Sequence, residues 1–162
     1  MSLWTSLLMP HFSPERKLAI VTASWHSDLL EGARNSCLDT LRSLGETAEG
    51  FVDLYPVPGS LEIPLVAQKL AQTRKYSAVI AFGLIIDGGI YRHDFVANAV
   101  ISNLVRVQLD TGVPVFSCVL TPLHFHEHEA HTAFFREHLI GKGAEVAKSC
   151  LAQLDVLARI AR

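Results

Sequence analysis

The chain has 162 residues, enough for one domain with a sizeable core. Hydrophobic residues make up 49% and charged residues 19%, which implies that part of the surface is covered in an oligomer. A net charge of -2 gives no electrostatic reason to expect nucleic acid, and no apolar run approaches the ~20 residues of a membrane helix. Cys37, Cys118 and Cys150 are odd in number and widely spaced, so they read as reduced, buried thiols of a cytoplasmic protein.

Residues 1–16 read as an irregular arm that packs on a neighbouring subunit. The stretch 4–9 is apolar, but no basic residue precedes it and Pro10 ends it, which does not match a signal peptide. Residues 17–24 (K-L-A-I-V-T-A-S) form a buried strand. Ser27 or Asp28 caps the next helix, with Leu30, Ala33, Cys37, Leu41 and Leu44 at helical spacing and Gly45 as its stop. Residues 50–54 are a second, weaker strand. The run Tyr55-Pro56-Val57-Pro58-Gly59 then stays extended before a turn. Ser60 caps a helix running to about Lys75, which tolerates Pro64 because it falls in the first turn.

Residues 78–86 are the third strand, ending in Asp87-Gly88-Gly89. A helix over 95–111 follows, with Val96, Ala99, Val100, Asn103, Val107 and Leu109 on one broad face and Gly112 at its end. Residues 113–120 (V-P-V-F-S-C-V-L) are the fourth strand, residues 121–138 a polar, His-rich stretch, and 143–162 a final helix carrying Val146, Cys150, Leu154 and Leu157. Strands alternate with helices, and the strands are continuously apolar. Both faces of the sheet must therefore be covered. That predicts an α/β fold, a three-layer sandwich with a four-stranded parallel sheet, whose ligands bind beyond the carboxyl ends of the strands.

Those strand ends carry the chemistry. The glycine turn and the helix start after the third strand form an anion-binding geometry, although such turns are also ordinary connections. Arg92 beside it binds phosphate or stabilises charge but is a poor base, whereas His93 titrates usefully. Trp25 offers either a cap on the core or a flat face for stacking. Pro58-Gly59-Ser60-Leu61-Glu62 combines helix-start donors with a carboxylate that can hold a polyol or simply cap the helix. His124, His126, His128 and His131 raise the alternative of zinc ligation. No H-E-x-x-H motif or nearby cysteine supports it, and phosphate binding or a subunit contact suits these histidines better.

Together these segments resemble lumazine synthase, the penultimate enzyme of riboflavin biosynthesis. They are A-S-W-H at 23–26, V-P-G-S-L-E-I-P at 57–64, G-L-I-I-D-G-G-I-Y-R-H-D-F-V at 83–96, G-V-P-V-F-S-C-V-L-T at 112–121 and G-K-G at 141–143, in the family's order. The resemblance implies a flavodoxin-like fold for 17–162 and a transferase that needs no cofactor or metal. Its reaction condenses 5-amino-6-(D-ribitylamino)uracil with 3,4-dihydroxy-2-butanone 4-phosphate to 6,7-dimethyl-8-ribityllumazine, phosphate and water. It also implies a homo-oligomer built of pentamers, a decamer being the form expected, with active sites between subunits and no membrane partner.

By position, Trp25 resembles the residue that stacks on the pyrimidine. Ser60, Leu61 and Glu62 resemble the ribityl-binding segment, and Leu84, Ile85 and Ile86 the strand end that reads the pyrimidine edge. Ser117 matches a substrate contact. Gly89 and Ile90 resemble the phosphate turn, with His131 the best match for a phosphate-binding cation and Arg136 the second. The chain departs from the commoner pattern at Asp87, where an arginine is usual, and at Arg92, where the catalytic histidine is usual; His93 stands one residue later. Arg92 and His93 are both candidate catalytic residues, and the set resembles the divergent second bacterial type. A flavin- or lumazine-binding protein with little turnover, and a zinc hydrolase using the histidines, are the competing readings.

Overall fold

The computed structural model describes residues 11–45, 50–87, 89, 92–122 and 129–162, with only the backbone for 129–131. The strands are β1 (Lys17–Ala23), β2 (Val52–Val57), β3 (Tyr76–Leu84) and β4 (Val115–Leu120). The helices are α1 (Ser27–Ser43), α2 (Ile63–Gln72), α3 (His93–Thr111) and α4 (Glu129–Ile160), and a short 3-10 turn, Ser60–Glu62, precedes α2. The sheet order is β2-β1-β3-β4 and every pairing is parallel. α1 and α4 pack together on one face, α2 and α3 on the other, which is the expected flavodoxin-like three-layer sandwich.

All nine residues of β3 are buried, as a central strand covered on both faces requires. The face toward α2 carries small residues: Ala19, Ala81 and Gly83. At Gly83 even a Cβ would lie 2.7 Å from Ser60 Oγ and 3.3 Å from Ile63 Cδ1, so the 3-10 turn rests directly on the strand. The opposite face carries Leu18, Ile20, Ile80 and Phe82, all fully buried. Burying such side chains contributes ~1.5–3 kcal/mol each, and this layer is the main hydrophobic contact with α1 and α4. Cys37, Cys118 and Cys150 are buried free thiols. Burial first, and then mutual repulsion with Cys118, pushes the Cys37 thiol up to about 12. Burial does the same to Cys118.

Several expectations need correction. The final helix starts at Glu129, not residue 143, and runs through Gly141 and Gly143. The sequence treats Gly143 as the start of that helix, but it is a contact point inside it. A Cβ at Gly143 would collide with the backbone carbonyl of Ala33 in α1. One turn away, Ser36 Oγ donates to the Ile140 carbonyl at 2.7 Å. The second strand is Val52–Val57 and includes Pro56, which an edge strand accepts because it pairs on one side only. The third strand begins and ends two residues early.

Neither Ser27 nor Asp28 caps α1. The residue before the helix is His26, in the left-handed region (φ 59°), with no side-chain cap. Of the face foreseen for α3, Val100 and Val107 are buried and Val96 half-buried, whereas Ala99, Asn103 and Leu109 are exposed. Leu44 and Leu157 also lie largely outside the core. From the N-terminal arm, Phe12 is buried and stacks on Phe51 with ring centroids 6.0 Å apart, so this part packs on its own domain.

Candidate active site

β1 leads to β2 on one side and β3 lies on its other side, so the carboxyl ends of β1 and β3 flank the point where the chain order reverses. Crevices at such points hold ligands in parallel sheets. Three segments meet there, and each is held by local hydrogen bonds.

The first two segments touch. Ser24 N–H donates to the Val57 carbonyl at 2.8 Å, which ties the end of β1 to the end of β2. Trp25 follows and is 64% exposed. Its indole lies against Gly59, where a Cβ would stand 3.8 Å from Trp25 Cδ2 and Cε3. Glu62 Oε2 accepts the Gly59 N–H at 2.9 Å and folds back over the same glycine. Glu62 Oε1 takes no hydrogen bond from the described residues. An exposed aromatic face and a carboxylate with a spare oxygen therefore stand side by side. Leu61 is exposed next to them. Ser60 is not at the mouth: it is buried against Gly83 and supports the turn from beneath.

The third segment leaves β3. Leu84 and Ile85 are buried, and Ile85 N–H donates to the Leu120 carbonyl at 2.9 Å. Ile86, half-buried, is thus the first residue after the strand whose backbone has no partner among the described residues. Asp87 Oδ1 accepts the Gly89 N–H at 3.0 Å, with Gly89 in the left-handed region (φ 73°). Gly88, Ile90 and Tyr91 lie outside the described residues.

Arg92 precedes α3 and folds back on its own helix. Its Nε and Nη2 donate to the two oxygens of Asp94 at 3.2 and 3.1 Å, and its guanidinium sits 4.3 Å above the Phe95 ring. That hydrogen-bonded pair, with the added Coulomb attraction, holds the Asp94 carboxyl below its ordinary range and raises Arg92 further. His93 turns the other way: its Nδ1 stands 3.8 Å from Asp87 Oδ1, and its side chain is 24% exposed. Adjacent residues thus form two separate acid–base pairs, Arg92–Asp94 and His93–Asp87.

One expected site residue among the described side chains does not join this cluster within one chain. Ser117 pairs with Ala81 in the middle of the sheet edge, exposed, its Oγ accepting the Val119 N–H at 3.2 Å. His131 lies on α4, and its side chain is outside the described residues, as are His124, His126 and His128. Arg136 Nη2 donates to Asp28 Oδ2 at 3.4 Å, at the start of α1. Among the described residues no group of three or more His, Cys, Asp or Glu side chains is arranged to hold a metal ion, and no helix is long and apolar enough to cross a membrane.

Sequence reasoning missed the Asp94 clamp on Arg92 and the contact between Trp25 and Gly59. The R-x-D spacing was a signal for the first. Nothing in the sequence signalled the second. A cavity of about 400 Å³ lies at the opposite end of the sheet, lined by Arg16, Arg74, Tyr76, Pro114 and Leu154 among others. It is remote from the strand ends where the polar groups converge, so volume alone does not mark the site.

Sequence comparison places the chain in a family. The family model described as 6,7-dimethyl-8-ribityllumazine synthase matches residues 15–158. The chain is 52% identical over 142 residues to the 6,7-dimethyl-8-ribityllumazine synthase of Rhodococcus erythropolis, covering 88% of this chain and 91% of that one. It is 51% identical to the 6,7-dimethyl-8-ribityllumazine synthase 2 of Bradyrhizobium diazoefficiens, over 93% of this chain and 90% of the relative. With the synthase 2 of Pseudomonas syringae pv. tomato the identity is 44%, over 92% and 87%. The match spans every strand end described above, and the chain belongs to the 6,7-dimethyl-8-ribityllumazine synthase family.

Proposed function

We propose that the chain condenses 5-amino-6-(D-ribitylamino)uracil with 3,4-dihydroxy-2-butanone 4-phosphate to give 6,7-dimethyl-8-ribityllumazine, phosphate and water. The observation that carries this reading beyond family membership is the pairing of an exposed indole with the Glu62 carboxylate over Gly59, beside the turn after β3. A flat ring bearing a polyol chain needs those two surfaces together.

The amine of one substrate attacks the ketone of the other, one water leaves to form an imine, phosphate is eliminated, and the second amine closes the ring with loss of a second water. Holding both substrates accounts for much of the rate, up to ~7–11 kcal/mol for a well-oriented bimolecular step. In this reading Trp25 stacks on the pyrimidine, the backbone from Leu84 through Ile85 to Ile86 meets its edge, and Glu62 with Leu61 takes the ribityl chain while Ser60 supports them. Gly89 and Ile90 receive the phosphate, with His131 as the cation. His93 is the proton-transfer group. Arg92 cannot take up a proton at neutral pH, and its guanidinium stabilises negative charge once the phosphorylated substrate draws it from Asp94.

An assembly built of pentamers, most simply a decamer, completes the proposal. Leu61, Leu65, Phe95, Leu109, Phe134 and Ile160 are large apolar side chains exposed on this chain, and subunit contacts would cover them. Ser117 would then reach a site from a neighbouring copy. Buried, unbridged thiols suit a cytoplasmic setting. Mixing the two substrates with EDTA present and following lumazine fluorescence tests the reaction; binding without product overturns it. Sedimentation showing an active monomer or dimer overturns the assembly.

A further inference from the structure

We infer that Asp87 is the positioning residue that sets the tautomer of His93, and so makes Nε2 the atom that exchanges protons. The inference rests on His93 being the proton-transfer group and adds the residue that makes it one. Asp87 does not swing freely, because its Oδ1 is pinned by the Gly89 N–H at 3.0 Å. The same oxygen stands 3.8 Å from His93 Nδ1. That is longer than a hydrogen bond, as catalytic contacts often are before substrate arrives, and a small ring rotation closes it.

Asp94, the other carboxylate near the helix start, faces Arg92 rather than His93, and both of its oxygens accept hydrogen bonds from that guanidinium. A carboxylate only accepts, so the nitrogen facing it must carry the proton. A neutral imidazole has one N–H, and placing it on Nδ1 leaves the Nε2 lone pair directed away from Asp87. His93 then takes a proton at Nε2 and returns it from Nε2, while Asp87 stays ionised throughout. The contact also gives a physical account of two departures found together. The acid at position 87 is the partner that a histidine at position 93 needs, and the arginine at position 92 brings its own counter-charge at position 94.

The test is nitrogen NMR of the full chain labelled at histidine, with the His93 signals assigned from their loss in His93→Gln, alongside kcat and both Michaelis constants. Asp87→Asn keeps an oxygen for the Gly89 N–H while removing the charge; Asp87→Ala removes the acceptor altogether. The expected result is a native His93 with its neutral form protonated at Nδ1, a lower Nδ1–H fraction in Asp87→Asn and a lower one still in Asp87→Ala. kcat should fall about tenfold or more, as when a histidine loses the carboxylate that fixes its tautomer, with the Michaelis constants little changed. An Nδ1–H fraction that is unchanged in Asp87→Ala overturns the inference. So does a fall in kcat without a change of tautomer, since Asp87 would then act only through the turn. Full turnover by His93→Gln overturns the proton-transfer reading instead, while the tautomer measurement still decides whether Asp87 orients the ring.

Discussion

The two ends of the sheet are built on opposite plans. At the amino end, polar side chains are spent on one another. Lys17 Nζ meets Asp53 Oδ1 at 3.2 Å, Tyr76 donates its hydroxyl to Asp53 Oδ2 at 2.8 Å, and the Tyr55 hydroxyl bonds to that of Tyr76. The two tyrosine rings also meet edge to face. Burial, together with those hydrogen bonds, raises the Tyr76 phenol well above its ordinary value. At the carboxyl end, Trp25 and Leu61 face solvent, Glu62 keeps an oxygen unused, and Asp87 and His93 stop just short of contact. The difference is the usual division between stability and function: a network that satisfies itself holds the sheet together but leaves nothing for a ligand. Each end should therefore fail in its own way when it is altered.

The largest effect belongs to the open end. His93→Ala should lower kcat by ~10²–10⁴, the range expected for a general acid or base, while the thermal midpoint stays near that of the native protein. Steady-state kinetics and calorimetry on one preparation check this. If the midpoint collapses along with the rate, His93 belongs to the supporting structure and the division is misplaced.

Between the two ends lie the buried thiols, and they set an alkaline limit. Cys37 and Cys118 rise from 9.0 to about 12 on burial. Above pH ~9 the unfolded chain releases these protons and the folded chain does not, so stability falls as pH rises. It should be flat with respect to these groups below their unfolded value and then decline by about 1.4 kcal/mol per pH unit per thiol up to about 12. Urea midpoints across that window measure the slope. An equal slope in Cys37→Ala would remove that thiol from the account.

Tyr76→Phe is the matching test at the closed end. It removes the donor to Asp53 and the partner of Tyr55 together, leaving a part-buried carboxylate short of a hydrogen bond. The expected loss is about 1–3 kcal/mol of stability, with kcat and both Michaelis constants unchanged. Chemical denaturation gives the first number. Altered kinetics would mean that the two ends communicate through β3.

The layered architecture was legible because it follows from patterns that packing reinforces: apolar runs buried on both faces, and helices between them. What was not legible depended on contacts far apart in sequence. Gly143 reads as a helix start, yet α4 runs through it, and close approach to Ala33 is the reason Gly143 is glycine. The second strand reads as ending at residue 54, yet it continues through Pro56, which a strand paired on one side holds. The site divided similarly. The segments at the strand ends could be picked out from their turn chemistry and family likeness. The depth of Ser60 under Gly83, and the partition of Arg92 to Asp94 and His93 to Asp87, needed coordinates. Adjacent side chains diverge, and no sequence pattern says which of two neighbours finds which acid.

The smallest effect is the one that reports most directly on the open end. Trp25 is 64% exposed, so deleting its side chain removes little buried surface, and Trp25→Ala should barely alter the thermal midpoint. Its ring lies against Gly59, and its exposure leaves indole surface for a ligand. Stacking of aromatic rings contributes ~0.5–1.5 kcal/mol beyond burial, which corresponds to roughly a 2- to 13-fold rise in the Michaelis constant for the pyrimidine. The butanone phosphate carries no ring, so its constant should hardly move. Measuring each constant with the other substrate saturating separates them. Equal rises for both substrates would mean that Trp25 shapes the whole mouth rather than stacking on one substrate, and a large drop in stability would mean that the indole is a lid on the core. Either outcome would move Trp25 to the structural side of the division; a selective rise keeps it, with Glu62, among the side chains left free for a ligand.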